Sequence, residues 1–306
     1  MHQTGFRFNF MRYGKATLTL SAVLIVLSLL SLAFRGLNLG IDFTGGTLIE
    51  RQLGRAATAD EVRAVLTGEA VADLDLGSAV IQPLDDPRDV LIRTRPLASD
   101  EIDRVDAALA AAFGGVEVLR TELVGPVIGA ELVRRALLAV ALASVGILIY
   151  VSLRFEFKFA VAALVALLHD AIIATGAVSA LGVEVNSPFI AAILTVVGYS
   201  LNATIVIFDR VRENRQLRPA EPLVDLLNRS LNETLARTIH TSATTLLTVL
   251  TLFLFGGSTL RDFILVLLVG LTVGTYSSIF VANPFWWLWK EREERGGREV
   301  SPAPVR

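Results

Sequence analysis

Six separate runs of about 20 apolar residues govern what this chain can fold into. They cover approximately 16–34, 135–153, 159–181, 188–208, 237–255 and 263–289. About 20 residues is the length an α-helix needs to cross some 30 Å of hydrocarbon. Lipid offers no water to bond with backbone N–H and C=O groups, so each run is read as a spanning helix that satisfies its own amides. The charged residues, only 19% of the chain against 53% hydrophobic, gather in the connections. The pattern is that of an integral membrane protein.

Composition also narrows the chemistry. The absence of cysteine excludes disulfides, thiol catalysis and cysteine-ligated metals, and three histidines are too few for a histidine-rich metal site. A formal net charge of −2 gives no reason to expect a nucleic-acid partner. No phosphate-binding G-x-x-x-x-G-K-[ST] loop is present, so ATP hydrolysis within the chain is not expected. No cofactor, metal or enzymatic activity is expected.

Lysine and arginine in short loops mark the cytoplasmic side. Arg7, Arg12 and Lys15 precede the first run, and Arg154 and Lys158 follow the second. Arg210, Arg212, Arg215, Arg218 and Arg229 follow the fourth, and Lys290, Arg292, Arg295, Arg298 and Arg306 follow the sixth. On the other side "GVEVNS" (182–187) has no basic residue and "GGSTLRD" (256–262) has only Arg261. The expected organisation is a cytoplasmic N-terminus (1–15), a first span (16–34) and an external domain (35–134). A five-helix bundle (135–290) with a cytoplasmic loop at 209–236 and a cytoplasmic tail (291–306) complete it. "SLA" at 31–33 resembles a signal-peptidase site, but the run before it exceeds the ~7–15 residues of a secretory apolar region, so an uncleaved anchor is expected.

The external segment alternates strand and helix patterns. "TLIERQL" (47–53), "SAVIQPL" (78–84), "DVLIRT" (89–94) and "VEVLRTELV" (116–124) read as strands. Thr58 and Glu61 form a capping box that starts a helix running to about Gly68. Ser99 is expected to cap a second helix, whose Ile102, Val105, Leu109 and Phe113 share a face. The order β-α-β-β-α-β is the ferredoxin-like split arrangement. Its eleven basic and seventeen acidic residues over 35–135 give a net of −6, which suits a solvated surface. With no histidine, cysteine or nucleophile elbow, this domain is expected to touch something rather than transform it.

Polar residues inside the spans are costly and point to function. "LLHDAII" places His169 and Asp170 near the middle of the third. The fifth carries Arg237, Thr241, Thr244, Thr248 and Thr251 on one stripe, and the fourth carries Thr195, Tyr199, Asn202 and Asp209 on another. Threonine hydroxyls can satisfy the i−4 carbonyl, so they alone mean packing, whereas the Arg237 guanidinium keeps its charge unless it reaches the interface. In the sixth, Gly270, Gly274 and Ser278 make a close-packing face. Leu223, Leu226, Leu227 and Leu231 suggest an amphipathic helix lying on the cytoplasmic membrane surface.

Several ordered motifs carry a resemblance. They are "GIDFTGGTLIE" (40–50), "VGPVIGAEL" (124–132), "HD" (169–170), "ILTVVGYSLNATIVIFDRVREN" (193–214), "NETLARTIHTSATTLL" (232–247), "FGGSTLRDF" (255–263) and "GTYSSIFVANPFWW" (274–287). With them the chain resembles the SecF family of bacterial protein-export membrane proteins, over essentially its whole length. The resemblance implies one six-helix half of a resistance-nodulation-division (RND) pair in the plasma membrane, with a periplasmic domain between helices 1 and 2. SecD would be the other half. The implied activity is to promote preprotein export through the SecYEG channel, using the proton-motive force or a sodium gradient.

The resemblance also assigns roles. Polar residues of the fourth span, among them Tyr199 and Asn202, would face the SecD interface where ions move, beside Thr241 of the fifth. Family members read Asn-Asp-Thr where this chain has Asn202, Ala203 and Thr204. The family's acid faces an arginine that maps onto Arg237. With alanine at 203 that arginine needs another partner, such as a SecD carboxylate, Asn202 or water. The alanine is either a natural departure or a substitution made to remove the acid.

Three other functions fit parts of the sequence. An RND half-transporter for lipids or small molecules would ordinarily have a larger external domain than about 90 residues. A purely structural translocase subunit fits Ala203 if it is natural. An intramembrane hydrolase built on His169 and Asp170 lacks a nucleophile and a second metal ligand.

Overall fold

The computed structural model describes residues 8–257 and 260–299. Of the basic residues used for orientation, Arg7 and Arg306 lie outside this range, as do the side chains of Arg295 and Arg298. The elements run in the order α1 (Gly14–Arg35), β1 (Asn38–Leu39), α2 (Ile41–Thr44), β2 (Gly46–Leu53), α3 (Ala59–Leu66), β3 (Val80–Pro83), β4 (Asp89–Thr94) and α4 (Ser99–Phe113). They continue with β5 (Val116–Val124), α5 (Pro126–Arg154), α6 (Phe157–Leu181), β6 (Glu184–Val185), α7 (Ser187–Leu217), α8 (Leu223–Phe255), α9 (Arg261–Phe280) and α10 (Ala282–Glu299). Two compact units result: residues 38–138 with 184–187, and a helical unit containing the rest.

In the helical unit each apolar run becomes a helix long and apolar enough to cross a membrane, six in all among the described residues. α6 packs on α1 and α9, and α9 packs on α8. Small residues let the backbones approach, as membrane helices require: a side chain at Gly176 would run into Ser28 of α1. The last span breaks at Val281 (φ −118°, ψ −58°). Pro284 has no N–H for the carbonyl of Phe280, and the Thr17 hydroxyl of α1 donates to that oxygen instead, at 3.1 Å.

Residues 209–236 do not form a loop. α7 continues to Leu217 and α8 begins at Leu223, so only residues 218–222 connect them. The leucine stripe is not on the membrane surface either. Leu226, Leu227 and Leu231 are buried with Phe159, Phe208, Val211 and Trp286. An amphipathic stripe looks the same whether it meets lipid or protein, and here protein covers it. Arg210 to Glu233 (2.6 Å) and Asn214 to Ser230 (3.0 Å) tie the two helix ends together.

The other unit is built on a four-stranded antiparallel sheet ordered β3-β4-β2-β5. With α3 and α4 this is the expected β-α-β-β-α-β arrangement. Val62, Leu66, Val105, Leu109 and Phe113 from the helices meet Ile49, Leu53, Val90 and Ile92 from the sheet. The capping box forms: Thr58 Oγ1 accepts the Glu61 N–H (3.3 Å), and the Glu61 carboxylate accepts that of Thr58 (2.8 Å). Ser99, however, is not the cap of α4. Ala98 takes that position, and the Glu101 carboxylate reaches back to its N–H at 2.7 Å.

Three further features shape this unit. Arg51 shares the inward face of β2 with Ile49 and Leu53, is 1% exposed, and pairs with Asp106 of α4 at 2.7 Å. Strand β1 pairs in parallel with β6, drawing the 182–187 connection into the unit, and Glu184 there pairs with Arg93 of β4 at 3.2 Å. Gly45 and Gly46, at φ 71° and 137°, turn the chain from α2 into β2, a backbone path that side chains disfavour.

Candidate functional site

The residues singled out in the spans fall into two groups. The first surrounds Asp170 of α6, which is completely buried. Ser200 of α7 and Ser277 of α9 both donate hydroxyl hydrogen bonds to its Oδ2, at 2.6 and 2.7 Å. His169 Nδ1 lies 2.8 Å from its Oδ1. The imidazole stacks on Tyr276 with ring centroids 6.2 Å apart. Tyr276 in turn donates to the Thr17 carbonyl at 2.9 Å. These oxygen–oxygen distances are those of hydroxyls bonded to a carboxylate. The carboxyl thereby ties α6, α7 and α9 together at mid-span.

Glycines make this approach close enough. A Cβ at Gly274 would stand 3.0 Å from Ser200 Cβ and 3.5 Å from Asp170 Oδ2. One turn earlier, a Cβ at Gly270 would overlap Val196 of α7. Thr204 of α7 also donates to Ser278 of α9 (3.1 Å).

The second group lines a cavity of about 100 Å³ between α7 and α8, formed by Tyr199, Asn202, Ala203, Arg237, Thr238 and Thr241 with two neighbours. Tyr199 holds the two helices together, donating to the Thr241 carbonyl (2.9 Å) and lying 3.1 Å from Thr245 Oγ1. Arg237 is exposed in the isolated chain and makes no ion pair or hydrogen bond among the described residues. Thr238 is 5% exposed, and its hydroxyl has no partner among the described residues. Such a cavity, with a fixed positive charge beside hydroxyl and amide groups, suits a carboxylate or ordered water.

Arg237, Asn202, Ala203, Tyr199 and Thr241 are thus brought together, while Asp170, Gly270 and Gly274 belong to the buried group. Sequence reasoning missed Ser200, Ser277 and Thr238, because small hydroxyl residues are common in membrane helices. The remaining threonines of the α8 stripe, Thr244, Thr248 and Thr251, donate to carbonyls one turn back in their own helix. They bond locally and do not extend the cavity.

Comparison with known proteins places this arrangement. The family model described as protein export membrane protein SecD/SecF, C-terminal, matches residues 104–292. The chain belongs to the SecD/SecF family. A second model, the SecD/SecF GG motif, matches residues 30–50 and contains the Gly45–Gly46 turn. The protein translocase subunit SecF of Desulfurispirillum indicum is 42% identical over 92% of each chain. That of Pseudomonas aeruginosa is 46% identical over 90% of this chain and 89% of its own. The crystal structure of SecDF from Thermus thermophilus superposes with a TM-score of 0.87 at 40% identity, covering 95% of this chain. A SecDF structure in a super-membrane-facing form gives 0.71 at 39% identity. The chain spans about 40% of the length of those SecDF chains. It is a multi-pass membrane protein of this family.

Proposed function

We propose that the chain is the SecF-type subunit of a bacterial protein translocase, paired in the plasma membrane with a SecD partner. The cavity at Arg237 is then where ion movement acts on the pair. The observation that carries this reading is Arg237 itself: a permanent cation within α8, lining a polar cavity and unpaired among the described residues. A guanidinium on a membrane helix requires a counter-charge or water. The exposed face of α8 leaves room for a partner half to supply one. A relative in which SecD and SecF are one protein, the SecDF of Thermus thermophilus, supports the pairing.

Lacking a carboxylate at 203, this chain depends on an acid from SecD opposite Arg237. Protonation of that acid removes one charge of the pair and releases the packing of α7 against α8, which Tyr199 bridges. One elementary charge moving through 100 mV supplies about 2.3 kcal/mol, enough to shift such a balance. Asp170, held by the Ser200 and Ser277 hydroxyls and beside His169, locks α6, α7 and α9 so that they respond together. Both termini face the cytoplasm and the sheet-containing unit lies outside, where it meets the preprotein leaving the SecYEG channel.

The test uses proteoliposomes containing the chain, SecD and SecYEG, with a preprotein arrested part-way and ATP removed. An imposed proton-motive force completes transport with the unaltered chain and with Arg237→Lys, but not with Arg237→Gln. Equal completion by the glutamine variant would overturn the role given to Arg237.

A further inference from the structure

A second cavity lies where α5 ends and α6 begins, beside the last turns of α7; it shares no lining residue with the Arg237 group and is independent of the function proposed above. It measures about 450 Å³ and is lined by Arg154, Phe155, Glu156, Phe159, Arg212 and Arg215 with one neighbour. Arg154 ends α5, and Arg212 and Arg215 stand one turn apart on α7. The aromatic side is firm: Phe159 stacks on Trp286 with centroids 4.6 Å apart, and the Arg215 guanidinium sits 5.8 Å from the Trp286 ring.

The acids nearby do not consume all this positive charge. Glu156 pairs with Arg215 at 2.8 Å, and Asp209 reaches Arg154 only at 4.0 Å, with both side chains more than half exposed. Arg212 spends one N–H on the Arg154 carbonyl, at 3.2 Å, and meets no carboxylate among the described residues. Two guanidinium groups therefore keep donors for an anion, and the planar fork of arginine suits phosphate oxygens.

Depth identifies the source of that phosphate. The apolar run of α7 ends near residue 208. At 1.5 Å per residue, Arg212 and Arg215 stand about 6 and 10 Å beyond it. That is the level of the lipid headgroups, which occupy the outermost several ångströms of a bilayer. We propose that this cavity binds the phosphate of an anionic phospholipid headgroup, with Arg154 and Arg212 as its ligands and Phe155 and Phe159 against the glycerol and first methylenes.

The test measures thermal unfolding of the purified full chain in micelles doped with dioleoylphosphatidylglycerol, dioleoylphosphatidylcholine or inorganic phosphate. The anionic lipid should stabilise the chain and the zwitterionic lipid should not. The double variant Arg154→Gln/Arg212→Gln should lower apparent lipid affinity about 30-fold, some fivefold for each arginine. Arg154→Lys/Arg212→Lys, which keeps the charge, should retain an intermediate response and shows whether loss in the glutamine form is merely misfolding. Arg12→Gln, a basic residue near the same membrane face, should bind as the parent does. Equal stabilisation by both lipids overturns the proposal, as does an unchanged response of the glutamine double variant. Competition by millimolar inorganic phosphate would assign the cavity to a soluble phosphate and overturn the lipid.

Discussion

Replacing Ser277 by alanine tests whether the buried carboxyl of Asp170 is held by its neighbours. The Ser277 hydroxyl donates to Asp170 Oδ2 at 2.7 Å and Ser200 to the same oxygen at 2.6 Å. All three residues are 0–1% exposed, so no bulk water replaces a lost donor. A hydrogen bond to an ionised acceptor contributes about 1.5–3 kcal/mol, against about 0.5–1.5 kcal/mol for a neutral one. Ser277→Ala and Ser200→Ala should each destabilise by about 1–3 kcal/mol, the cost of leaving a buried acceptor short of a donor. Together they should cost more than either, since Oδ2 then loses both donors. The assay is equilibrium unfolding in mixed micelles, read as a double-mutant cycle. In an Asp170→Ala background, Ser277→Ala should cost less than about 0.5 kcal/mol, the usual margin for independent sites. An unaltered penalty in that background would refute the claim that the serine acts through the carboxyl.

Packing gives a ranking among glycines. Gly270→Ala should destabilise by about 1–3 kcal/mol through overlap with Val196. Gly146→Ala and Gly198→Ala, whose new methyls meet nothing within 4 Å, should stabilise the isolated chain by about 0.5–1 kcal/mol; the same unfolding assay orders them. In the sheet-containing unit, Asp106→Ala strands the buried Arg51 guanidinium and should cost about 3–5 kcal/mol, seen as lost amide protection in β2 and α4. Acid should loosen the same unit. The Thr58 N–H holds the Glu61 carboxyl below its ordinary value of 4.5, and Arg95 does the same for Glu101. Groups depressed on folding contribute stability that is full above about pH 4.5 and lost as pH falls through their folded values. Hydrogen exchange at the starts of α3 and α4, corrected for intrinsic rates, should therefore quicken below about pH 4.5, and less so in Glu61→Gln.

Much of this fold was legible because membrane helices announce themselves by length alone. The split sheet was legible too, since strand alternation and the Thr58–Glu61 box are local signals. What escaped was non-local. A two-residue strand such as β6 is too short to carry a period, and nothing near Glu184 names Arg93 as its partner. Arg51 breaks the apolar alternation of β2, and only the position of Asp106 on α4 explains it. The leucine stripe at 223–231 is amphipathic, as its spacing predicts, but protein rather than lipid covers it. At the candidate site the charged residues stood out, while Ser200, Ser277 and Thr238 became meaningful only with the helices assembled. Ala203 drew notice solely through resemblance, as the place where an acid is expected.

The most direct test of the account is proton uptake into vesicles holding SecD with the unaltered chain, with Ala203→Asp, or with Ala203→Asp/Arg237→Gln, under an imposed potential. The cavity of about 100 Å³ beside Arg237 has room for a carboxylate, since a water occupies about 30 Å³ of liquid. Uptake should occur with the unaltered chain through the SecD acid, quicken with the added acid at 203, and fall below that of the unaltered chain when Arg237 is replaced. Equal uptake in all three would contradict the role of Arg237 and move the coupling site to SecD alone or to Asp170.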